Sequence, residues 1–192
     1  MRPAKFILKE VGLIQAGYSF REGIQPTENG SLTVIQIKDI GRNGEILCED
    51  LTHTEVDNIK PDHFVRQGDV LFTTRGMNRR AAFVAEEMPD TVFVAQILSI
   101  RNLHPDIDPA YLAWYLNQPP AQEYFGMTSS GSYIQNIKID VLAELEISVP
   151  TLENQKRILE IHALRLREKK LVEEIQQRRN QVVEQILMKA IK

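Results

Sequence analysis

The rhythm of hydrophobic positions changes near residue 150. Up to about Pro150, apolar residues come in short alternating or continuous runs punctuated by Gly, Pro, Asn and Asp. From Thr151 onward there is neither Gly nor Pro, and apolar residues recur at helical spacing. A period of two predicts strands and a period near 3.6 predicts helix. The expectation is an α+β domain over residues 1–150, with mixed short strands and few helices, followed by one long helix over residues 151–192.

Within the first region the predicted strands are Leu32–Lys38, Asp69–Thr74, Ala82–Val84, Thr91–Val94, Leu98–Leu103 and Glu144–Val149. The last alternates strictly, as a half-buried strand should. Asn43-Gly44 supplies a hairpin-type turn after the first of them. Asp108-Pro109 followed by Ala110, Tyr111, Leu112, Ala113, Trp114, Tyr115 and Leu116 predicts a helix with an Asp cap and Pro in its first turn. A second helix is expected from about Pro120 to Phe125. Strands with occasional helices define the α+β class.

The terminal region opens with Thr151 and Asn154 in a capping arrangement. Ile158, Ile161, Leu164, Leu171, Ile175, Val182 and Ile186 then follow at intervals of three, three, seven, four, seven and four. About 40 residues of helix extend roughly 60 Å. A stripe over so many turns needs a partner of similar length, and Ile161, Leu164, Leu171, Ile175, Val182 and Ile186 are the candidate dimerisation residues of a coiled coil.

Composition narrows the function classes. With 43% hydrophobic residues, the 192-residue chain has the material for a packed core, which excludes wholesale disorder. No apolar run is long enough for a membrane span and the N-terminus is no secretory signal, so a cytoplasmic protein is expected. One cysteine, Cys48, and four scattered histidines exclude a cysteine-rich zinc site within the chain, and no metal is expected. Residues 1–150 hold 13 Lys and Arg against 20 Asp and Glu, and residues 151–192 hold 10 against 6. The acidic body argues against a protein that coats DNA, and leaves room for a locally basic reading face.

Catalytic patterns are lacking. Asn117-Gln118-Pro119-Pro120 is superficially similar to the Asn-Pro-Pro-aromatic loop of amino-group methyltransferases, but Gln118 and Ala121 break the pattern, and paired prolines ending a helix is the better reading. No dinucleotide or phosphate loop occurs. Glu86-Glu87 and Asp106-x-Asp108 sit in turn-like surroundings. No nucleophile–base pair is found, so the chain is expected not to be an enzyme and to need no cofactor.

The polar loops offer something else. Phe72-Thr73-Thr74-Arg75-Gly76-Met77-Asn78-Arg79-Arg80 runs from a strand end into three Arg, one Asn and two Thr. Arg forks onto guanine or phosphate, Asn reads adenine, and Thr hydroxyls meet phosphate oxygens. A solvated basic turn has the same composition. Gly17-Tyr18-Ser19 presents an aromatic and a hydroxyl at a turn, where packing on the domain's own surface is equally possible. Gly131-Ser132-Tyr133-Ile134-Gln135-Asn136 repeats that chemistry, with Gln135 and Asn136 as adenine readers.

The order of these pieces resembles the target-recognition domain and adjoining helix of specificity subunits from type I restriction–modification systems. The resemblance runs through Val11, Gly17-Tyr18-Ser19, Val34 to Ile40, Gly68 to Gly76, Tyr111 to Asn117, Gly131-Ser132-x-Ile134-Gln135 and Val149-Pro150-Thr151-Leu152-Glu153-Asn154-Gln155-Lys156-Arg157-Ile158. The strand-Pro-x-Leu-x-x-Gln-x-x-Ile entry into the long helix is its most specific part. The resemblance implies a DNA target-recognition domain at 1–150 and a dimerisation and spacer helix at 151–192. It implies double-stranded DNA as ligand, contacted through Tyr18, Lys38, Arg75, Asn78, Arg79, Arg80, Ser132, Tyr133 and Gln135. The implied partners are an adenine methyltransferase subunit, which carries S-adenosylmethionine, and a restriction subunit in a full restriction complex. Familiar subunits look like two such units in one chain, so a single unit implies a homodimer on an interrupted inverted repeat. The rival reading is a coiled-coil adaptor that never meets DNA, which the acidic body favours and the Arg75–Arg80 loop does not.

Overall fold

The computed structural model describes residues 3–76, 79–128 and 136–191, in two units that divide after Gln155. In chain order the first unit holds β1 (Ala4–Ile7), α1 (Leu8–Val11), β2 (Leu13–Ala16), β3 (Leu32–Ile35), β4 (Thr52–Thr54), β5 (Val70–Thr73), β6 (Ala81–Phe83), β7 (Thr91–Phe93) and β8 (Ile97–Arg101). Then come α2 (Pro109–Leu116), α3 (Pro119–Thr128), α4 (Ile139–Ala143) and β9 (Glu146–Val149), and the helix α5 (Leu152–Ala190) starts at the end of this unit. Short 3₁₀ turns occupy Ile37–Asp39 and Pro61–His63. The class is α+β, as the pattern predicts.

An antiparallel sheet in the order β2-β8-β5-β6 forms the middle layer. Both of its faces are covered, which explains why β5 and β8 are buried at every position. Alternate residues serve two cores. Val70, Phe72, Ala81, Leu98 and Ile100 join Leu8, Leu112, Leu116, Phe125 and Leu142 from the helices. Leu71, Ala82 and Ile97 join Leu32, Val34, Ile35, Val92 and Phe93 of a second sheet, ordered β4-β3-β7. In that sheet β3 runs antiparallel to β4 and parallel to β7. A two-stranded pairing of β1 with β9 joins the two ends of the unit.

A buried ion pair lies on the second face of the middle sheet. Arg101 Nη2 donates to Asp69 Oδ2 at 2.6 Å, and its guanidinium also donates to the carbonyls of Asp62 and Phe64. Burial pushes the Asp69 carboxyl up, opposed by the Arg101 charge. Those two carbonyls flank His63, so the pair fixes the turn on which His63 sits.

Two sequence expectations change. The run from Leu32 to Lys38 is a strand only as far as Ile35, because the Asp39 carboxylate accepts the Gln36 N–H at 2.8 Å and curls the chain into a 3₁₀ turn. The prolines at 119 and 120 begin α3 rather than merely ending α2, since a missing N–H costs nothing in a first turn. Other features match. Asp108 accepts from the N–H groups of Ala110 and Tyr111 at the start of α2. Gly44 turns at φ +84°, with the Gly41 N–H donating to the Glu45 carbonyl. Thr151 Oγ1 accepts the Asn154 N–H at 3.4 Å at the head of α5.

The second unit, from Lys156, is the rest of α5. Along it Ile161, Leu164, Leu171, Ile175, Val182 and Ile186 are 50–67% exposed.

Candidate nucleic-acid interface

Three loops converge at one end of the middle sheet. The first follows β2. A Cβ on Gly17 would lie 2.2 Å from the Phe93 carbonyl oxygen and 2.4 Å from that of Val94, so only glycine lets the chain pass so close to β7. Backbone bonds then stitch the loop down: Gly17 N–H to the Ile97 carbonyl, Tyr18 N–H to that of Phe93, and Ala95 N–H to that of Tyr18. Tyr18 is half-buried, and its ring meets Phe20 and His63 edge-on, with centroids 4.8 and 5.6 Å away. The ring thus packs on the domain's own residues while Tyr18 also lines the surface cleft described next.

The second loop is the 3₁₀ turn after β3. It presents Lys38 to solvent while Asp39 is buried, its carboxyl pushed up by that burial and held down in part by the Gln36 N–H. Tyr18, Phe20, Gln36, Lys38 and Gln96 line a cleft of about 410 Å³ between these loops.

The third is the arginine loop after β5, and its residues divide by role. Thr73 and Thr74 are buried, contrary to the expectation that their hydroxyls meet phosphate. Thr73 Oγ1 accepts the Arg80 N–H at 2.8 Å, and the Thr74 hydroxyl lies 2.8 Å from the Gln96 carbonyl and 2.7 Å from Asn136 Oδ1. Arg75 is exposed, with Nε donating to Asn136 Oδ1 at 3.4 Å. Arg79 is half-buried, which pushes its guanidinium below the usual arginine range, and its carbonyl accepts from Gln122. Arg80 is also half-buried and donates Nη1–H to the Ile40 carbonyl at 2.9 Å, tying this loop to the Lys38 turn.

The convergence thus brings together Tyr18, Lys38, Arg75 and Arg80 from segments far apart in sequence. Asn136 joins them as a brace, because the Ile137 N–H donates to the Thr74 carbonyl at 2.9 Å. Asn78, Ser132, Tyr133 and Gln135 lie outside the described residues. The opposite end of the β3–β7 pair has a different chemistry: Glu45, Glu49, Glu86 and Glu87 line a groove with Ile46, Leu51, Phe83 and Met88.

Side chains that could imitate catalysis are committed to structure. Asn117 Oδ1 accepts the Ala81 N–H, and Nδ2 donates to the carbonyls of Ala81 and Ala113, so the residue pins α2 to β6. Asp108 caps α2. Among the described residues no group of three or more His, Cys, Asp or Glu side chains could hold a metal ion. None of the described helices is long and apolar enough to cross a membrane.

The motif at the head of α5 also acquires a physical meaning. Gln155 is fully buried, and both ends of its amide are hydrogen-bonded. Oε1 accepts the Asp108 N–H at 2.8 Å, and Nε2 donates to the carbonyls of Asp106 and Pro150 at 2.7 and 2.8 Å.

The fold thus gathers three loops at one end of the middle sheet and enters its long helix through a buried, hydrogen-bonded glutamine. The chain belongs to the type I restriction modification DNA specificity domain family, whose model matches residues 4–185. It is 28% identical over 127 residues to the specificity subunit of the type I restriction enzyme HindI of Haemophilus influenzae, an alignment covering 62% of this chain and 28% of that one. Its fold resembles the HsdS subunit of Thermoanaerobacter tengcongensis, with a TM-score of 0.57 at 20% identity over 86% of this chain and 37% of that one. The S subunit of the type I restriction–modification system of M. genitalium gives 0.54 at 18% identity, over 84% and 41%. The chain therefore spans less than half the length of each of these relatives.

Proposed function

We propose that the first unit is a DNA target-recognition domain whose reading face is the end of the middle sheet that carries Tyr18, Lys38 and Arg75. The observation that carries this reading is the convergence of three loops, anchored by backbone hydrogen bonds, that leaves Lys38 and Arg75 exposed and sets Lys38 on a cleft shared with Tyr18, Gln36 and Gln96. Cations position the phosphate backbone, while polar side chains read base edges. The acidic groove at the far end of the β3–β7 pair supports one orientation on DNA, with the glutamates turned away from phosphate.

The chain supplies recognition and a partner methyltransferase subunit supplies the chemistry. That subunit would methylate adenine with its own S-adenosylmethionine, and a restriction subunit would join in a cleaving complex. The exposed apolar stripe of α5 supports pairing with a second long helix, here a second copy, which would place two readers on an interrupted inverted repeat. The test is selection of duplexes from a random library by the purified chain alone. Enrichment of one sequence that Arg75→Ala weakens supports the reading. Retention of all duplexes alike, or of none, sinks it in favour of an adaptor.

A further inference from the structure

Two glutamines line the cleft beside Tyr18 and Lys38, and their side chains are differently employed. Gln36 donates Nε2–H to Thr52 Oγ1 at 2.8 Å. Gln96, in the turn between β7 and β8, bonds through its backbone: its carbonyl accepts the Thr74 N–H at 2.9 Å and lies 2.8 Å from the Thr74 hydroxyl. Its side-chain amide is partly exposed and makes no hydrogen bond among the described residues. Of the two amides, that of Gln36 is tied to Thr52, and that of Gln96 bonds to none of the described residues.

We propose that Gln96 is the base-reading side chain of this cleft and that it takes the major-groove edge of an adenine. This rests on the DNA-reading role assigned above to the same face. A primary amide offers one donor and one acceptor side by side. Adenine offers the complement, N7 as acceptor and the N6 amino group as donor, whereas guanine presents two acceptors and thymine one acceptor beside a methyl group. The chemistry of the side chain therefore selects adenine for a two-bond contact.

Placement supports the assignment. A reading group must be held by its surroundings, because a contact loose by about 1 Å loses its discrimination. The turn carrying Gln96 is held on each side. Ala95 N–H donates to the Tyr18 carbonyl, Ile97 N–H to the Val94 carbonyl, and Ile97 enters β8 in register with Thr73. Lys38 lines the same cleft as a cation for the neighbouring phosphate, and Tyr18 lines it as an aromatic wall.

The experiment is selection from a random duplex library with the full chain as wild type, Gln96→Ala and Gln96→Glu, read by sequencing, with melting temperatures measured alongside. The wild type is expected to enrich a motif containing an adenine at which Gln96→Ala loses roughly 5- to 150-fold of its preference, the other positions being kept. Gln96→Glu retains acceptors only and is expected to shift that position toward cytosine, whose N4 amino group donates. Melting temperatures should stay unchanged, since the structural bonds of Gln96 are made by its backbone. An unchanged motif in both variants overturns the role of Gln96 and leaves DNA reading intact. Uniform loss across all positions with lowered melting temperature overturns it as well, in favour of a packing role. A wild-type chain that enriches no motif overturns the DNA-reading proposal itself, and this inference with it.

Discussion

The Gln155 side-chain oxygen accepts the Asp108 backbone N–H at 2.8 Å, while the Asp108 carboxylate caps α2 through Ala110 and Tyr111. One glutamine therefore joins the last strand, the cap of α2 and the head of α5, since its Nε2 also reaches the carbonyls of Asp106 and Pro150. Glutamine is required because the site needs one acceptor and two donors. Glutamate would turn an oxygen toward two carbonyl oxygens.

Gln155→Ala is expected to cost about 2–4 kcal/mol in urea unfolding, because an N–H and two carbonyls lose their partner in a buried place. Gln155→Glu should fold best in acid. The two carbonyls hold its carboxyl protonated and raise its folded pKa above the unfolded value, so its stability falls as pH rises through the raised pKa. A Gln155→Glu chain as stable as wild type at both pH 5 and pH 8 would contradict the lock.

The arginine loop should separate into binding and folding residues. Arg75 is exposed, so Arg75→Ala should leave the unfolding midpoint within about 0.5 kcal/mol of wild type while weakening DNA binding. Arg80 bonds the Ile40 carbonyl from a half-buried position, so Arg80→Ala should lower stability by about 1–2 kcal/mol. If Arg75 touches only phosphate, its loss should lower affinity alike for all sequences and make the salt dependence shallower. Fluorescence anisotropy over a salt series, with urea melts of the same samples, checks both arms.

Tyr111 predicts an alkaline weakness. Its phenol is buried, donates to the Ser148 carbonyl at 2.6 Å, and is pushed up to about 12, first by burial and then by neighbouring Tyr115. A raised tyrosine pKa means that the folded state holds its proton where the unfolded chain has lost it. Stability from this group is complete below pH 10 and declines as pH rises toward 12, by about 3 kcal/mol in all. Tyr111→Phe should be about 1 kcal/mol less stable at pH 7 and show a flatter decline above pH 10. Parallel slopes for the two proteins would assign the alkaline loss to other groups.

What was legible in the sequence follows from how local each determinant is. β5, β8, α2 and α5 declare themselves through their own residues, by continuous burial, an Asp-Pro cap or an uninterrupted helical period. β1 does not, because its strand partner is β9, far along the chain. β4 is the edge triplet Thr-His-Thr, without an apolar residue, and α1 is a single turn. The site was legible as a list of polar loops but not as an arrangement. Tyr18 meets the Lys38 turn only because β3 runs parallel to β7 and Tyr18 bridges to Val94. Gln96 was hidden by its place in the run Thr91 to Leu103, which looks like strand on both sides. Thr73 and Thr74 misled in the opposite sense, since hydroxyls at a strand end look exposed until Arg80 and Asn136 fold over them.

The stripe on α5 bears on oligomeric state. Leu171 and Ile175 are 50% and 65% exposed, so a charge placed there costs the isolated helix little and a paired helix much. The wild-type chain should sediment as a dimer at tens of micromolar, and the double variant Leu171→Asp, Ile175→Asp as a monomer with unchanged helix content. A monomeric wild type would count against the proposed pairing.

The same helix should act as a ruler between half-sites. Two identical readers related by a two-fold axis contact identical half-sites, so the target should be an inverted repeat with a spacer. In an antiparallel pair the helix length sets that spacer. Seven residues inserted after Glu174 keep the heptad phase and lengthen each helix by about 10 Å. At about 3.4 Å per base pair, this corresponds to roughly three extra base pairs. The longer gap also rotates one half-site about the DNA axis, so some loss of activity is expected alongside the shift. Methylation maps of cells carrying the wild-type or the lengthened chain with its methyltransferase subunit read the result directly. The expected map keeps both half-sites and widens the space between them. Strong methylation by the lengthened chain at the original spacing would show that the helix is not the ruler, and targets without inverted symmetry would remove the pairing of identical readers.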